Sequence, residues 1–489
     1  VSAVTHGAVV VLLVAAATLL ALASARLGAA LRVPAPALFL VGAVAVATVA
    51  PSLRVDLPVA QRSVGVALAL ILFDGGMGIG VRRLRGVLAP VVWVGVAGTA
   101  VTAAGLAVAA HVLFHFGWTA ALLLGTALSP TDPAVVFSVL GGRRVHGRSG
   151  TLLEGESGAN DPVGIALMAA LLVGGGWAAG LREFVLQMVI GAAIGAGGGA
   201  ALRWLMRAVA LPGAGMYLLR PLAGALVVYG GATVAHGSGF LAVFVAGILV
   251  GDARAPYKRE IEHFSGALSA LAEIVAFVLL GLTIRLPDLA APGVWATGLA
   301  VGALLAFVIR PLLVGLVLWP VRLRPNERAF VLWSGLKGAV PILLGTFIAT
   351  SAVAGHDRLY GIVVVAVAFS VVVQGGLLPS VARRLRLPMT VDEPEPYAVG
   401  VRLREEPEDV HRHTVEAGSA GDGSSLAELP FDTHTWVAMV IRDGSLVPPR
   451  GRTRLRAGDE VVVLGDGAAV RAAFAGTPRE VPTKEELDT

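Results

Sequence analysis

Two short stretches place carboxylates inside apolar sequence. The first is Ser129-Pro130-Thr131-Asp132-Pro133, and a loop later comes Glu156-Ser157-Gly158-Ala159-Asn160-Asp161-Pro162. An ionisable group at membrane depth is costly, and its presence there marks a functional site by default. Asp132 lies between two prolines, and proline removes a helical hydrogen bond. A broken helix in a bilayer is tolerated only where it is packed in protein or lines a cavity. Freed carbonyls and helix ends at such a break can hold a cation. In the second stretch Ser157 and Asp161 are four apart, as are Glu156 and Asn160, so each pair shares a helical face. Hard cations take oxygen ligands. Asp161 supplies charge, and Ser157 and Thr131 supply neutral oxygens, for Na+ or K+. A carboxylate withdrawn from water can also take a proton when no cation is bound. One group that holds either a proton or a cation, but not both, is the minimal chemistry of exchange.

Beside Asp132 and Asp161, five ionisable residues fall within or near apolar segments: Asp74, Glu156, Glu273, Arg310 and Lys337. A buried arginine needs an anion, and Glu156 is the candidate partner of Arg310 in a structural ion pair. Lys337 sits in Gly335-Leu-Lys337-Gly338-Ala-Val-Pro341, a second stretch interrupted by glycine and proline. It either compensates helix-dipole charge where two breaks cross or snorkels to the cytoplasmic surface. Asp74, before Gly75-Gly76, either reaches the ion path or caps its helix near the cytoplasm. Glu273 reads as structural.

The elements that position these residues are transmembrane helices. The chain of 489 residues is 56% hydrophobic and 15% charged, with apolar runs long enough to span about 30 Å of hydrocarbon. Thirteen helices are expected, at about 7–25, 35–51, 62–80, 87–112, 117–140, 155–176, 184–206, 217–235, 239–252, 265–284, 293–319, 328–352 and 359–382. The first run lacks the basic start of a signal peptide and reads as a transmembrane helix. Loops on one side carry twenty Lys and Arg, from Arg26 and Arg32 to Arg383, Arg384 and Arg386, against five on the other. The richer side is expected to be cytoplasmic, with the N-terminus outside and the C-terminus inside. The fifth and twelfth helices are both broken and run in opposite directions. An inverted repeat produces that arrangement, pairing helices 1–6 with 8–13. The architecture is thus an all-α polytopic membrane domain over residues 1–386.

Residues 387–397 read as an acidic, proline-rich linker and 477–489 as a disordered tail. Between them, 398–476 is expected to be a small cytoplasmic α+β domain. Trp436–Ile441 and Glu460–Leu464 read as strands, with an Asp443-Gly444 turn after the first, and Val470–Phe474 as a short helix. The chain has no cysteine, which excludes disulfides and thiolate metal sites. Its net charge of +5 comes from loop arginines rather than a nucleic-acid surface. No Gly-x-Gly-x-x-Gly follows a strand, which argues against a Rossmann nucleotide site.

Taken together, Thr131-Asp132-Pro133, Gly155-Glu156-Ser157-Gly158-Ala159-Asn160-Asp161, Arg310 and Gly335-Leu-Lys337-Gly338-Ala-Val-Pro341 resemble the monovalent cation:proton antiporters of the first cation–proton-antiporter family. The resemblance spans roughly residues 7–385. It implies a homodimer whose core moves past a dimerisation domain in an elevator-like way. It also implies Asp161 as the cation- and proton-binding residue with Asn160 beside it, Asp132 and Thr131 at the crossing of the broken helices, and a Glu156–Arg310 pair. Asn-Asp rather than Asp-Asp is associated with electroneutral exchange. One departure is Lys337, where many members carry arginine.

Ser425-Leu-Ala-Glu-Leu to Gly465, with Ile441-Arg-Asp-Gly-Ser-Leu-Val-Pro448 and Thr453-Arg-Leu-Arg-Ala-Gly-Asp459, resembles the TrkA-C subdomain of potassium-conductance regulators. The combination resembles the NhaP-like potassium/proton branch. Such subdomains dimerise, and some bind a small ligand such as a cyclic dinucleotide; a ligand-free dimerisation module is the equal alternative. The expected function is exchange of K+ or Na+ for protons across the cell membrane, without enzymatic activity or cofactor. A ligand-gated cation channel would carry a Thr-Val-Gly-Tyr-Gly type filter, which the sequence lacks. An intramembrane aspartyl protease would set its aspartates in Gly-x-Gly-Asp, and neither Asp132 nor Asp161 is so placed.

Overall fold

The computed structural model describes residues 35–140, 143–145, 148–387, 389–391, 410–429, 431, 435–443, 445–464, 470 and 473–475, with four isolated helical positions near the N-terminus. Apart from those four positions, the first expected helix, at 7–25, lies outside the described residues, as do the body of the linker, 398–409 and the tail at 477–489. The chain divides into two compact units, Val1–Ala398 and Val399–Thr489.

In the first unit, α1 is Ala35–Val49 and α2 is Leu57–Arg85. Helix α3 runs Leu88–Phe114 through a π-helical turn at Val94–Gly98. The fifth expected helix is two pieces, α4 (Trp118–Ala127) and α5 (Pro133–Val139). Next come α6 (Arg148–Leu172), α7 (Gly176–Ala208), α8 (Ala214–Val234), α9 (Gly239–Gly251) and α10 (Lys258–Thr283). Helix α11 spans Val294–Val317 and contains a π-helical segment at Leu305–Val314 with Pro311 inside it. The twelfth expected helix is also divided, into α12 (Pro325–Trp333) and α13 (Ala339–Ala349). Helix α14 spans His356–Arg384 with a third π-helical segment at Ser370–Gly375.

Among the described residues, seven helices are long and apolar enough to cross a membrane, and four shorter ones are apolar. Helix α6 begins at Arg148 and α10 at Lys258, each a turn or two earlier than the hydropathy pattern suggested. Both extra stretches are polar, so hydropathy could not report them.

Small residues set the tightest contacts. Gly191, Gly195 and Gly199 recur one turn apart along α7 and are buried. A Cβ on them would meet backbone at Ser238, Ala242 and Ala246 of α9, the small-residue packing that lets membrane helices approach closely. Helix α2 breaks at Gly80, whose φ is 64°. There the Arg82 N–H donates to Asp252 Oδ2 at 2.7 Å.

The six exposed tryptophans of the first unit form two groups. Trp93, Trp204 and Trp319 (51%, 65% and 75% exposed) stand at helix ends beside the arginine-rich loops, while Trp118, Trp177 and Trp295 (52%, 78% and 53%) stand at opposite ends. Aromatic belts at the two membrane–water interfaces have this form.

The segment after α14 holds a short strand rather than only linker: β2 (Met389–Val391) pairs antiparallel with β1 (Arg143–Val145), with Arg144 opposite Thr390. In the second unit a sheet runs in the order β3-β6-β4-β5, with β3 Val410–Thr414, β4 Trp436–Arg442, β5 Ser445–Val447 and β6 Glu460–Leu464. Arg442 pairs with Ser445 across the expected turn, where Asp443 has a φ of 49°. Alternation in β6 buries Val461 and Val463 against Val415, Leu455, Val470 and Phe474. Helical backbone at Val470, Ala473 and Phe474 follows the expected short helix.

Candidate ion site

The two helix breaks meet. Leu128 ends α4 in a non-helical conformation, and α5 restarts at Pro133, a residue preorganised for a first helical position. Asp132 is the residue before it, and its Oδ1 accepts the Ala134 N–H at 2.9 Å. That is N-cap geometry. Across the gap, α12 ends at Trp333 and α13 restarts at Ala339. The Asp132 N–H donates to Leu336 O at 2.8 Å, and the backbone N–H groups of Val135 and Ala339 are also directed at the Asp132 carboxylate. The crossing is so close that a Cβ on Gly338 would strike Asp132 Oδ2.

Lys337 sits on the opposite ends of the half-helices. Its Nζ donates to Ser129 O at 3.1 Å and to Pro130 O at 3.0 Å. A helix end carries roughly half a unit charge, positive at the N-terminus and negative at the C-terminus. The N-termini of α5 and α13 therefore roughly offset the charge of Asp132, and the C-terminal carbonyls after α4 that of Lys337. Lys337 is 4% exposed, which rules out snorkelling.

Helix α6 lies against the first break. Ser157 Oγ donates to Thr131 O. Asn160 Nδ2 donates to Thr131 Oγ1 at 2.8 Å, and Asn160 Oδ1 accepts the Thr131 N–H at 3.4 Å. Pro162 inside α6 removes the N–H that would bond Gly158 O. Asp161, 7% exposed, follows Asn160 and lies one turn after Ser157 on α6, and Thr131, Ser157 and Asn160 are each 5% exposed or less. The charged neighbours of Asp161 are Asp132 and Lys337.

One turn away, Glu156 Oε1 accepts from Arg310 Nη2 at 2.8 Å, with both side chains at 5% exposure or less. Arg310 also donates from Nε to Leu332 O at 2.9 Å and from Nη2 to Val331 O at 3.2 Å, so it ties α6, α11 and the end of α12 together. Asp74 is half-buried and lies six residues before the break at Gly80. It is interior to α2, so the capping alternative does not hold.

Two residues that sequence reasoning passed over belong here. The Lys337 N–H donates to Ser370 Oγ at 3.0 Å, Ser370 Oγ donates to Gln374 Oε1 at 3.1 Å, and Gln374 Nε2 donates to Trp333 O at 2.6 Å. The available signal was two polar residues one turn apart in an otherwise apolar run of α14.

Fold and site together define a polytopic membrane transport protein built around two unwound, mutually contacting helices. Residues 7–384 match the sodium/hydrogen exchanger transmembrane family, and residues 410–475 match the TrkA-C domain. The chain is 32% identical to the K(+)/H(+) antiporter NhaP2 of Shewanella oneidensis, over 83% of this chain and 72% of that protein. It is 34% identical to the K(+)/H(+) antiporter NhaP of Alkalimonas amylolytica, over 82% and 71%. The structure of the sodium proton antiporter MjNhaP1 from Methanocaldococcus jannaschii superposes with a TM-score of 0.66 at 21% identity, covering 78% of this chain and 99% of that one. The chain belongs to the sodium/hydrogen exchanger family, and it carries a TrkA-C domain.

Proposed function

We propose that this protein exchanges K+ or Na+ for protons across the cell membrane, with Asp161 as the group that takes either the cation or the proton. One observation carries the assignment. Of the three carboxylates on α6 and the first break, Asp132 is held by backbone N–H groups and Glu156 through Oε1 by Arg310, whereas no protein donor among the described residues bonds Asp161. Thr131, Ser157 and Asn160 place neutral oxygens in the same cluster. A cation bound there displaces the proton, and a proton displaces the cation.

The relatives' names support monovalent cation exchange and include both ions, K(+)/H(+) for the NhaP2 and NhaP proteins and Na(+)/H(+) for NhaH of Halobacillus dabanensis at 28% identity. Movement is elevator-like in this reading. The hydrogen bonds of the site run among α4–α6, α11, α12 and α14 and the two breaks, while glycine-tight packing binds α7 to α9; the first group is a body able to move past the second. In this reading an inverted repeat relates α4–α5 to α12–α13, and the tryptophan groups at the starts of the two broken helices support opposite directions for them. The arginine-rich loops beside the first tryptophan group favour a cytoplasmic C-terminal domain and an outer N-terminus. We assign the TrkA-C domain a regulatory role, exercised in a homodimer and open to a small ligand such as a cyclic dinucleotide. The pairing of β2 with β1 supports it, because β1 follows α5, the half-helix that Asp132 caps.

The test is exchange in proteoliposomes with K+, Na+ and Li+ supplied separately, with and without an imposed potential. Cation-driven proton movement is expected. Its absence with all three ions, in vesicles proven to hold the inserted protein, overturns the reading.

A further inference from the structure

The unwound segment between α12 and α13 is not held by Lys337 alone. Its backbone is gripped from outside by α14. Trp333 O, the last carbonyl of α12, accepts from Gln374 Nε2, and the Lys337 N–H, two residues before α13, donates to Ser370 Oγ. The Ser370 hydroxyl then donates to Gln374 Oε1, so the two side chains form one continuous chain across both edges of the break. Ser370 and Gln374 are 3% and 4% exposed, and both lie in the π-helical segment Ser370–Gly375. π-Helical turns inside α-helices occur frequently at functional sites. A small cavity lined in part by Arg310, Gly335, Lys337, Ser370 and Gln374 adjoins the chain.

We propose that Ser370 and Gln374 are positioning residues: through the backbone of the second break they set where the Lys337 ammonium sits on the carbonyls of Ser129 and Pro130, and hence the field at Asp161. The inference rests on the antiport reading for its functional consequence and on hydrogen-bond geometry for its mechanism. Each partner has few alternatives. With Ser370→Ala the Lys337 N–H loses its acceptor in a site closed to water, and with Gln374→Leu the Trp333 carbonyl loses its donor. Neither residue touches the proposed cation ligands Asp161, Thr131 or Ser157 in the hydrogen-bond network. Their loss therefore acts through Lys337 and leaves the ligand set intact.

The experiment pairs two readouts on the full chain in proteoliposomes: Ser370→Ala, Gln374→Leu, the double variant and Ser370→Thr. Amide hydrogen exchange at residues 334–338 reads the clamp itself and needs no transport. Each single variant is expected to speed exchange there at least tenfold, with Ser370→Thr close to wild type. Transport reads the consequence. The single variants are expected to shift the pH of half-maximal exchange in the direction that Lys337→Ala shifts it and to lower the maximal rate severalfold. Because the two residues form one chain, the double variant is expected to match the worse single variant. Unchanged amide protection overturns the clamp whatever the transport result. Faster amide exchange with a wild-type pH profile overturns its link to Lys337. Absence of cation-driven proton movement by the wild-type protein counts against the antiport reading alone, because the amide measurement still decides the clamp.

Discussion

The amide of Asp132 donates to the carbonyl of Leu336 at 2.8 Å, joining two helix breaks that lie far apart in sequence. This bond makes the crossing one structural unit. It places the Asp132 carboxylate where α5 and α13 begin, and the Lys337 ammonium where α4 ends.

Asp161→Asn is expected to abolish cation-dependent proton movement, to the level of empty vesicles. An amide cannot exchange a proton for a cation. Insertion and melting temperature are expected to stay near wild type, since no protein hydrogen bond among the described residues depends on this carboxylate. Fluorescent pH recording in everted vesicles checks it, and wild-type rates in the variant would remove Asp161 from the site.

Arg310→Ala leaves Glu156 charged, buried and without its partner. Breaking one side of a buried pair costs about 3–5 kcal/mol, and Arg310 also holds Leu332 O and Val331 O. A marked loss of thermal stability in detergent is expected, partly relieved by adding Glu156→Gln. A variant as stable as wild type would show that the pair is not architectural.

Gly338→Ala is expected to abolish exchange, because its methyl group would overlap Asp132 Oδ2. The control is Gly75→Ala on α2, where a Cβ meets nothing within 4 Å. Equal activity of the two variants would mean that the crossing tolerates separation.

Deleting residues 398–489 is expected to change the pH dependence or activation of exchange and leave the K+/Na+ preference as it is. The proposed ion ligands all belong to α6 and the first break. A changed cation preference after deletion would show that the second unit does more than regulate.

The second unit is expected to have its own acid sensitivity. Arg442 donates to both oxygens of Asp459 at 2.8 and 2.7 Å, and the Arg456 N–H donates to it at 2.8 Å. Burial pushes the Asp459 carboxyl up, but these donors outweigh it and hold it below its ordinary value near 3.8. The unfolded chain therefore takes up this proton at higher pH than the folded one. The contribution is whole above about pH 4 and is lost as pH falls through the lower folded value. Arg442→Met is expected to destabilise the domain at pH 7 by about 1.5–3 kcal/mol, read as faster proteolysis of the C-terminal unit in the full chain. A smaller difference between variant and wild type is expected at pH 3; an equal difference at both would contradict the pair's role.

Much of the site was legible because its signals are local. A carboxylate in an apolar run is visible without a fold, and the spacing of Ser157 and Asp161 assigns them to one helical face. The prolines around Asp132, and Gly335, Gly338 and Pro341 around Lys337, announced two breaks, since backbone chemistry is written in the residue itself. Ser370 and Gln374 were not legible. Serine and glutamine are unremarkable in any helix, and only the approach of α14 to Trp333 and Lys337 gives them partners. The β2 strand was hidden for the same reason, its pairing partner being more than two hundred residues away.

By itself, then, the sequence determined that this chain crosses a membrane many times and which helices are interrupted, and it singled out the carboxylates that lie in apolar runs. Hydropathy, proline chemistry and helical periodicity act over a few residues. Tertiary structure alone decided how the charges are divided: Glu156 to Arg310, Asp132 to two helix N-termini, Lys337 to two carbonyls, and Asp161 without a hydrogen-bond donor among the described residues. The physical reason is desolvation. In a site closed to water each charge must find its counter-charge or dipole within hydrogen-bond reach, and only the packing of distant helices determines which one is there.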